Sequence, residues 1–346
     1  MMNRNRPVTP HRHEITPAMK NLMTSKARAY PVGLVVGWLI ALPLPAETVY
    51  VTLEKDNALA VVDGVQGTLQ KTVSIGKRPR GLAASRDGRL LYVATSDDNS
   101  IVVLDRASLT VTARLPSGED PETFALSSDE RRLFVSNEDD NQVTVVDLAG
   151  RRQIRQIPVG VEPEGIATSA DGSWLVSTSE TTNMVHWINP VSLALIDNTL
   201  VDPRPRACAF TADSRQLWVS SEMAGSVSIL DTATRQLVKR LTFNIPGVTR
   251  EKIQPVGIAL DAARRYGYVA LGPANRVAVI DAQKLEVLRY ILVGQRVWNL
   301  AFSPDGQSLY TTNGLSNDIT RIDLPSHKAV KSIAVGQSPW GVVALP

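Results

Sequence analysis

The chain has 346 residues, of which 37 are basic and 34 acidic, so its formal net charge is +3. It contains one cysteine, Cys208, which excludes an intramolecular disulfide. The first 46 residues hold six of the basic side chains and one of the acidic ones, so residues 47–346 carry 31 and 33, a net charge of −2. The basic character therefore belongs to the amino-terminal segment, and we expect no nucleic acid partner, since that function requires a basic face on the folded domain.

Residues 1–46 have the order of features found in a secretory signal peptide. A basic region is followed by the apolar run Val32–Leu42 and then by Leu42-Pro43-Leu44-Pro45-Ala46, which we interpret as the cleavage region. The apolar run is shorter than the roughly 20 residues of a membrane span. We predict export to a bacterial periplasm, which suits a chain without disulfides, and no membrane span after cleavage. An uncleaved anchor is the alternative, and translation could start at Met19 or Met23.

A unit of 42 residues occurs seven times in residues 47–346. Each unit closes a valine-rich stretch with an Asp or Asn, and successive closing residues are separated by 42, 42, 42, 42, 50 and 42 positions. A repeat of this length that consists of short strands predicts a β-propeller. The closing residues are Asp63, Asp105, Asp147, Asn189, Asp231, Asp281 and Asp323.

Each unit carries four strand signals in the same order. The first strand follows a proline such as Pro79 and ends at an Asp-Gly turn such as Asp87-Gly88. The second strand ends in a loop that closes with Asn or Gly, residues that tolerate positive φ. The third strand alternates up to the closing Asp, which is a strand period and not a helical one. We predict one domain, 47–346: an all-β, seven-bladed β-propeller of four-stranded antiparallel blades, closed when Pro339–Leu345 joins the first unit.

The second strands carry a further signature. Tyr50-Val51-Thr52, Tyr92-Val93-Ala94-Thr95 and Leu309-Tyr310-Thr311-Thr312-Asn313 resemble the repeat named for its Tyr-Val-Thr-Asn sequence (YVTN), and the prolines and closing Asp match it as well. An exported chain of seven such repeats also resembles the β-propeller proteins associated with pyrroloquinoline quinone (PQQ)-dependent alcohol catabolism. This resemblance implies a functional association with PQQ enzymes. It implies a periplasmic quinoprotein dehydrogenase or a transporter component as partner. The chain lacks the tryptophan-docking repeats of the quinoprotein dehydrogenases and the Cys-x-x-Cys-His motif of covalent haem, so we expect no cofactor bound by the chain itself.

The candidate site lies where the loops before each first strand and after each second strand meet, on one face of the ring. There the sequence predicts a charged half and, across the last two blades, two indoles, which together are typical of a ligand site. We expect a small ligand or a protein partner to bind there. The candidate residues are Arg80, Glu122, Glu164, Arg206, Trp298, Trp340, Glu138, Glu180 and Glu222.

Two alternatives to this binding site stay open. The arginines and glutamates could simply bridge neighbouring blades, or the carboxylates could perform acid–base work in a lactonase-type hydrolase. The eight-residue excess, Phe243–Arg250, lies in a loop of the same face and is either a lid or a neutral insertion. We predict no catalytic triad and no metal site, because His186 and His327 fall on different parts of their blades.

Overall fold

The computed structural model describes residues 47–346, so the predicted signal peptide 1–46 and the alternative starts Met19 and Met23 lie outside the described residues. The described chain forms seven four-stranded antiparallel sheets, and no strand crosses from one sheet to another except at the ring closure. The predicted seven-bladed β-propeller is confirmed. We number the blades 1 to 7 from the amino terminus and the strands in chain order.

Six blades consist of four consecutive strands, and blade 1 takes its innermost strand from the carboxyl terminus. The innermost strands of blades 1 to 7 are β28 (Pro339–Leu345), β4 (Pro79–Ala84), β8 (Pro121–Leu126), β12 (Pro163–Thr168), β16 (Pro205–Phe210), β20 (Ile258–Leu260) and β24 (Val297–Phe302). The second strands are β1 (Thr48–Leu53), β5 (Leu90–Thr95), β9 (Arg132–Asn137), β13 (Leu175–Ser179), β17 (Gln216–Ser221), β21 (Tyr266–Ala270) and β25 (Ser308–Asn313).

The outer half of each blade follows the same pattern. The third strands are β2 (Ala58–Asp63), β6 (Ser100–Asp105), β10 (Gln142–Asp147), β14 (Met184–Ile188), β18 (Ser226–Asp231), β22 (Arg276–Asp281) and β26 (Asp318–Asp323). The outermost strands are β3 (Thr68–Ser74), β7 (Val111–Pro116), β11 (Arg152–Pro158), β15 (Leu195–Leu200), β19 (Leu237–Thr242), β23 (Glu286–Leu292) and β27 (Lys328–Ala334). Two single 3₁₀ turns, Ser96–Asp98 and Arg250–Lys252, are the described helical segments.

The hydrophobic core is divided among the seven junctions between blades. The second and third strands are buried on both faces and supply most of it, whereas the outermost strands are largely exposed. At the closing junction, Val342 and Ala344 of β28 pack in one cluster with Val51 of β1 and Tyr310 of blade 7. Each fully buried aliphatic side chain stabilises the fold by roughly 1.5–3 kcal/mol. The ring therefore depends on every junction, including the one that the carboxyl terminus completes.

One blade departs from the sequence-based pattern. The sequence predicts a first strand directly after Pro255, but in blade 6 this strand is shortened to Ile258–Leu260. The eight-residue excess precedes it, and the side chains of Phe243, Ile245 and Ile253 are buried in the core between blades 5 and 6. The insertion is thus anchored by apolar side chains. It leads to Gln254, which lies on the face of the ring where the candidate site is expected.

Candidate functional site

A β-bulge in the innermost strands positions the candidate residues that follow each proline. In blade 2, Pro79 pairs with Thr95 and Leu82 with Val93, so the register shifts across Arg80. The same shift occurs in blades 1, 3, 4, 5 and 7. Bulges redirect side chains at the ends of strands. Here they place one variable residue per blade at the mouth of the central channel.

A second device fixes the residue before each proline. The predicted positive φ of the loop Asn or Gly is confirmed in all seven blades, with values from 50° to 66°. In six blades the Asn side-chain oxygen also accepts a hydrogen bond from the backbone N–H of the residue before the next proline position. Arg78, Arg204 and Arg296 are held in this way at 2.9 to 3.0 Å, each with a positive φ of its own. The repeat therefore orients two mouth positions per blade.

The first charged group at the mouth joins blades 1, 2 and 3. Arg78 donates to both carboxylate oxygens of Asp120 at 2.8 and 2.9 Å and to Glu122 at 3.2 Å. Arg80 donates to the other oxygen of Glu122 and, at 3.3 Å, to Glu54. Glu122 is fully buried, so its two guanidinium partners supply the compensation that a buried charge requires.

The second charged group joins blades 4 and 5. Arg206 donates to Glu180, and its second terminal nitrogen lies 3.1 Å from Glu164. The Nε atom of Arg204 lies 2.9 Å from Glu180 and 3.1 Å from Glu222. Arg206 is 10% exposed, whereas Arg204 is 43% exposed. The first arginine therefore belongs to the wall of the channel, and the second faces the open mouth.

A fifth arginine, Arg296 of blade 7, completes the mouth. Arg296 donates to Glu222 at 3.1 Å and to Gln254 at 2.9 Å, and its guanidinium lies 4.3 Å from the ring centroid of Trp298. The indole has room because Gly314 replaces the glutamate that blades 1, 3, 4 and 5 carry at this position. A Cβ atom on Gly314 would lie 2.8 Å from Cδ1 of Trp298.

These groups surround a cavity of about 380 Å³ at the mouth, which we call the mouth cavity. Its volume lies within the range of small-ligand sites. The charged walls come from blades 2, 3, 5 and 7, and the exposed side chain of Met223 forms part of the rim. The lining residues are Arg78, Arg80, Glu138, Arg204, Arg206, Glu222, Met223, Gln254, Arg296 and Trp298.

A smaller cavity of about 90 Å³ lies deeper in the channel. Glu164, Arg206, Trp298 and Trp340 line it together with Cys208. The two tryptophans contact different arginines: Trp298 lies against Arg206 and Arg296, whereas Trp340 lies against Arg80. Cys208 is partly buried beside this cavity, and burial raises the pKa of its thiol to about 12.

Burial dominates the electrostatics of the mouth. It raises the pKa of Glu138 to about 8, and the neighbouring carboxylate of Glu122 adds to the rise. Burial also raises the pKa of Glu164 and Glu180, although Arg206 counteracts the shift. Burial lowers the pKa of Arg296, with only partial compensation from Glu222. Two kinds of group thus face the mouth cavity: a carboxyl group that is protonated near neutral pH and one guanidinium, that of Arg296, whose charge its neighbours compensate only in part.

The carboxylates are the groups that could hold a cation. Ligand atoms of Asp120, Glu122 and Glu138 lie within 4.8 Å of one another. However, Arg78 and Arg80 already bind the first two, so a metal ion would have to displace a guanidinium. The arrangement suits recognition of an anion by the guanidiniums, or proton transfer by Glu138, better than cation binding.

The structure brings the sequence-predicted residues to one face, though not into one cavity. Arg80, Glu138, Arg206, Glu222 and Trp298 line the mouth cavity, and the remaining four lie in its walls or deeper in the channel. The prediction omits Arg78, Arg204, Arg296 and Gln254 from the candidate list. Their shared position before the proline is the signal that identifies them.

The described residues contain no helix long and apolar enough to cross a membrane. No curated protein matches this chain. Solved structures of similar fold include the hydrazine synthase of Kuenenia stuttgartiensis, with a TM-score of 0.74, 20% identity, and coverage of 84% of this chain and 99% of that chain. The periplasmic gluconolactonase of Pseudomonas aeruginosa gives a TM-score of 0.73, 17% identity, and coverage of 87% and 99%. At these identities the likeness concerns the fold alone.

Sequence comparison with families of known proteins is more specific. The YNCE-like beta-propeller family matches residues 46–173 and 252–346; the segment between them holds the three outer strands of blade 4, all of blade 5 and the insertion. The match spans more than half of the chain and includes the strands that close the ring. The chain therefore belongs to the YNCE-like beta-propeller family.

Proposed function

We propose that the protein is a non-catalytic binding protein that holds a small anionic ligand in the mouth cavity. The observation that carries this proposal is the convergence of five arginines on one cavity of about 380 Å³. Arg204 is the most exposed of the five at 43%, and the guanidinium of Arg296, which is 24% exposed, lies over the ring of Trp298. Guanidinium groups bind carboxylates through paired, charge-assisted hydrogen bonds.

The same interactions would serve a structural role if every guanidinium were fully compensated. Arg206 fits that role, since two buried carboxylates surround it. Arg204 does not, because 43% of its side chain is exposed at the open mouth, although its Nε atom lies near Glu180 and Glu222. The proposal therefore depends on Arg204 and Arg296 and treats Arg80 and Arg206 as the scaffold beneath them.

Titration calorimetry with short-chain carboxylates and the corresponding primary alcohols tests this proposal. We expect carboxylates to bind and alcohols not to bind. The double variant Arg204→Gln/Arg296→Gln should lose carboxylate binding, because neutral amides remove the charge while they retain polarity. The matched control, Arg89→Gln/Arg131→Gln, changes two arginines that are more than 80% exposed and belong to the opposite face. Equal binding by the wild type and the double variant, or no binding of any carboxylate, would contradict the proposal.

We further propose that the protein is exported to the periplasm and acts beside a quinoprotein dehydrogenase or a transporter component of PQQ-dependent alcohol catabolism. The YVTN-type repeats and the predicted signal peptide support this assignment. Oxidation of alcohols yields carboxylates, which agrees with the proposed ligand chemistry. Affinity capture from the periplasm of alcohol-grown cells should recover the partner, and capture from cells grown on another carbon source should not. Recovery of the tagged protein from the cytoplasm alone would contradict it.

A lactonase-type hydrolase is the second candidate, and one observation favours it. Burial raises the pKa of Glu138 to about 8, so its carboxyl group carries a proton near neutral pH, as a general acid requires. This carboxyl group lies beside those of Asp120 and Glu122. The purified protein should then open lactones such as gluconolactone, and Glu138→Gln should abolish turnover. Absence of turnover across a lactone panel, with and without divalent cations, would exclude this candidate.

A further inference from the structure

A third cavity lies on the face opposite the mouth, at the junction between blades 6 and 7. Its volume is about 590 Å³, larger than that of the mouth cavity. Three aromatic rings and an imidazole form its wall: Tyr266, Tyr268, Phe302 and His327. We call it the aromatic cavity. It belongs to no part of the mouth, since its walls come from the turns after the first and third strands.

This junction differs from the other six on the same face. Each of the others is bridged there by at least one hydrogen bond between neighbouring blades. At the five junctions from blades 1–2 to blades 5–6, in that order, the donors and acceptors are Arg106 and Pro346, Arg86 and Ser128, Arg132 and Pro190, Arg235 and Asp197, and Arg264 and Asp213. At the junction of blades 7 and 1, Tyr310 donates to Gly64.

At the blade 6–7 junction, among the described residues, the corresponding contact is Tyr268 Oη to His327 Nδ1 at 3.5 Å. Ordinary O–H···N and O–H···O hydrogen bonds are considerably shorter. Tyr310 of the next blade occupies the equivalent position, and its hydroxyl donates at 3.1 Å to the backbone carbonyl of Gly64. Tyr268 is only 1% exposed, so its hydroxyl is a buried donor without a well-formed partner at the edge of a cavity.

The rings leave aromatic surface available to a ligand. Tyr268 and Phe302 meet edge to face at 5.8 Å, as do Tyr266 and His327 at 4.9 Å, so neither pair covers its ring faces by stacking. At the rim, Arg265 is 69% exposed and lies 5.9 Å from the ring centroid of Tyr266, and its Nε atom donates at 3.3 Å to Asp261, which also lines the cavity. The cavity thus offers ring faces at its wall, a buried hydroxyl donor inside and a cation at its entrance.

We propose that the aromatic cavity binds a planar aromatic carboxylate, with its ring against Tyr266 and Phe302 and its oxygen accepting a hydrogen bond from Tyr268. An aromatic ring matches the walls because aromatic pairs gain stability beyond the area they bury. A carboxylate oxygen supplies the partner that the Tyr268 hydroxyl lacks. Arg265 uses its Nε atom for Asp261, so the ligand would be bound through the exposed terminal nitrogens of its guanidinium. A saturated ring would gain the carboxylate contacts but not the contacts between aromatic faces.

The test uses 2-naphthoate as the probe and cyclohexanecarboxylate as its saturated counterpart, with affinities measured by titration calorimetry on the domain 47–346 and on the full chain. We expect saturable binding of 2-naphthoate at one site and weaker binding of cyclohexanecarboxylate. Tyr268→Phe removes one hydroxyl and should weaken 2-naphthoate binding by about tenfold, the effect of one lost hydrogen bond to a charged group. Tyr266→Leu, at the partly exposed wall, should weaken binding without a change in the melting midpoint.

Two controls separate this site from others. Tyr290→Phe makes the same chemical change on the outermost strand of blade 6, where the hydroxyl accepts a hydrogen bond from Asn244, and should leave 2-naphthoate binding unchanged. Arg204→Gln/Arg296→Gln alters the mouth cavity and should also leave it unchanged. The proposal is overturned by a lack of saturable binding, by wild-type affinity in Tyr268→Phe, or by loss of binding in the mouth variant.

Discussion

The carboxyl group of Glu138 lies beside that of Glu122 at the mouth of the channel, and burial together with this neighbour raises the pKa of Glu138 to about 8. Glu122 itself is fully buried between two guanidiniums. A negative charge on Glu138 would be buried and would repel the charge on Glu122, so the carboxyl group of Glu138 is more stable with its proton. One pair of adjacent residues therefore combines a carboxylate bound by two arginines with a carboxyl group that can release a proton.

Glu138→Gln is expected to flatten the dependence of stability on pH. The folded-state pKa of Glu138 lies above the ordinary value of 4.5, so the folded state binds the proton more tightly than the unfolded state. This contribution is complete below pH 4.5 and is lost as the pH rises towards 8. Urea unfolding from pH 5 to 8 should show the wild type losing about 1–2 kcal/mol more than the variant, a value reduced for partial exposure. Parallel profiles would contradict the assigned pKa.

The sequence predicts the face of this site because period and fold are linked. Equivalent residues of a repeat occupy equivalent places in each blade, so Arg80, Glu122 and Arg206 had to meet at the channel. Their partners could not be predicted, because a pair such as Arg206 and Glu180 depends on how far each side chain reaches across a blade junction. The cavity on the opposite face could not be predicted either, because it results from the absence of a well-formed hydrogen bond between blades 6 and 7 beside Tyr268, which again depends on the reach of side chains.

Arg206→Met is expected to destabilise the domain strongly. The guanidinium lies between Glu164 and Glu180, both almost fully buried, and its removal leaves them without a counter-charge. Loss of one member of a buried ion pair costs about 3–5 kcal/mol. Urea unfolding measures both effects, and Arg89→Met is the matched control. Its pair with Asp87 is exposed, so we expect the free energy of unfolding to change by less than about 0.5 kcal/mol. Similar losses of unfolding free energy in the two variants would show that the buried charge group stabilises the domain no more than an exposed ion pair does.

Truncation after Ser338 is expected to abolish cooperative folding. It removes β28, which pairs with β1 from Thr48 to Leu53 and completes blade 1. The truncated chain would expose the edge of β1 and lose Val342 and Ala344 from the closing cluster. Circular dichroism and gel filtration should show a broad unfolding transition and self-association. Truncation after Leu345 is the control, because it removes only the carbonyl that Arg106 contacts. A sharp, monomeric transition in the longer truncation would show that closure is dispensable.

His186 is expected to make the domain less stable on acidification. The imidazole is 3% exposed; its Nε2 accepts the backbone N–H of Gly160 at 2.9 Å, so the proton is on Nδ1, 2.6 Å from the Asn198 oxygen. Burial lowers the pKa of His186 below 6.5, and the hydrogen bond to Asn198 offsets only part of the shift.

The unfolded chain therefore takes up a proton at His186 before the folded domain does. The stability that the neutral imidazole contributes is complete above pH 6.5 and decreases as the pH falls below that value. His186→Gln should be less stable than the wild type at pH 7.5, because it loses the buried hydrogen bonds, and the difference should narrow by pH 5. A difference that stays constant across this range would show that the imidazole accepts a proton in the folded domain as readily as in the unfolded chain.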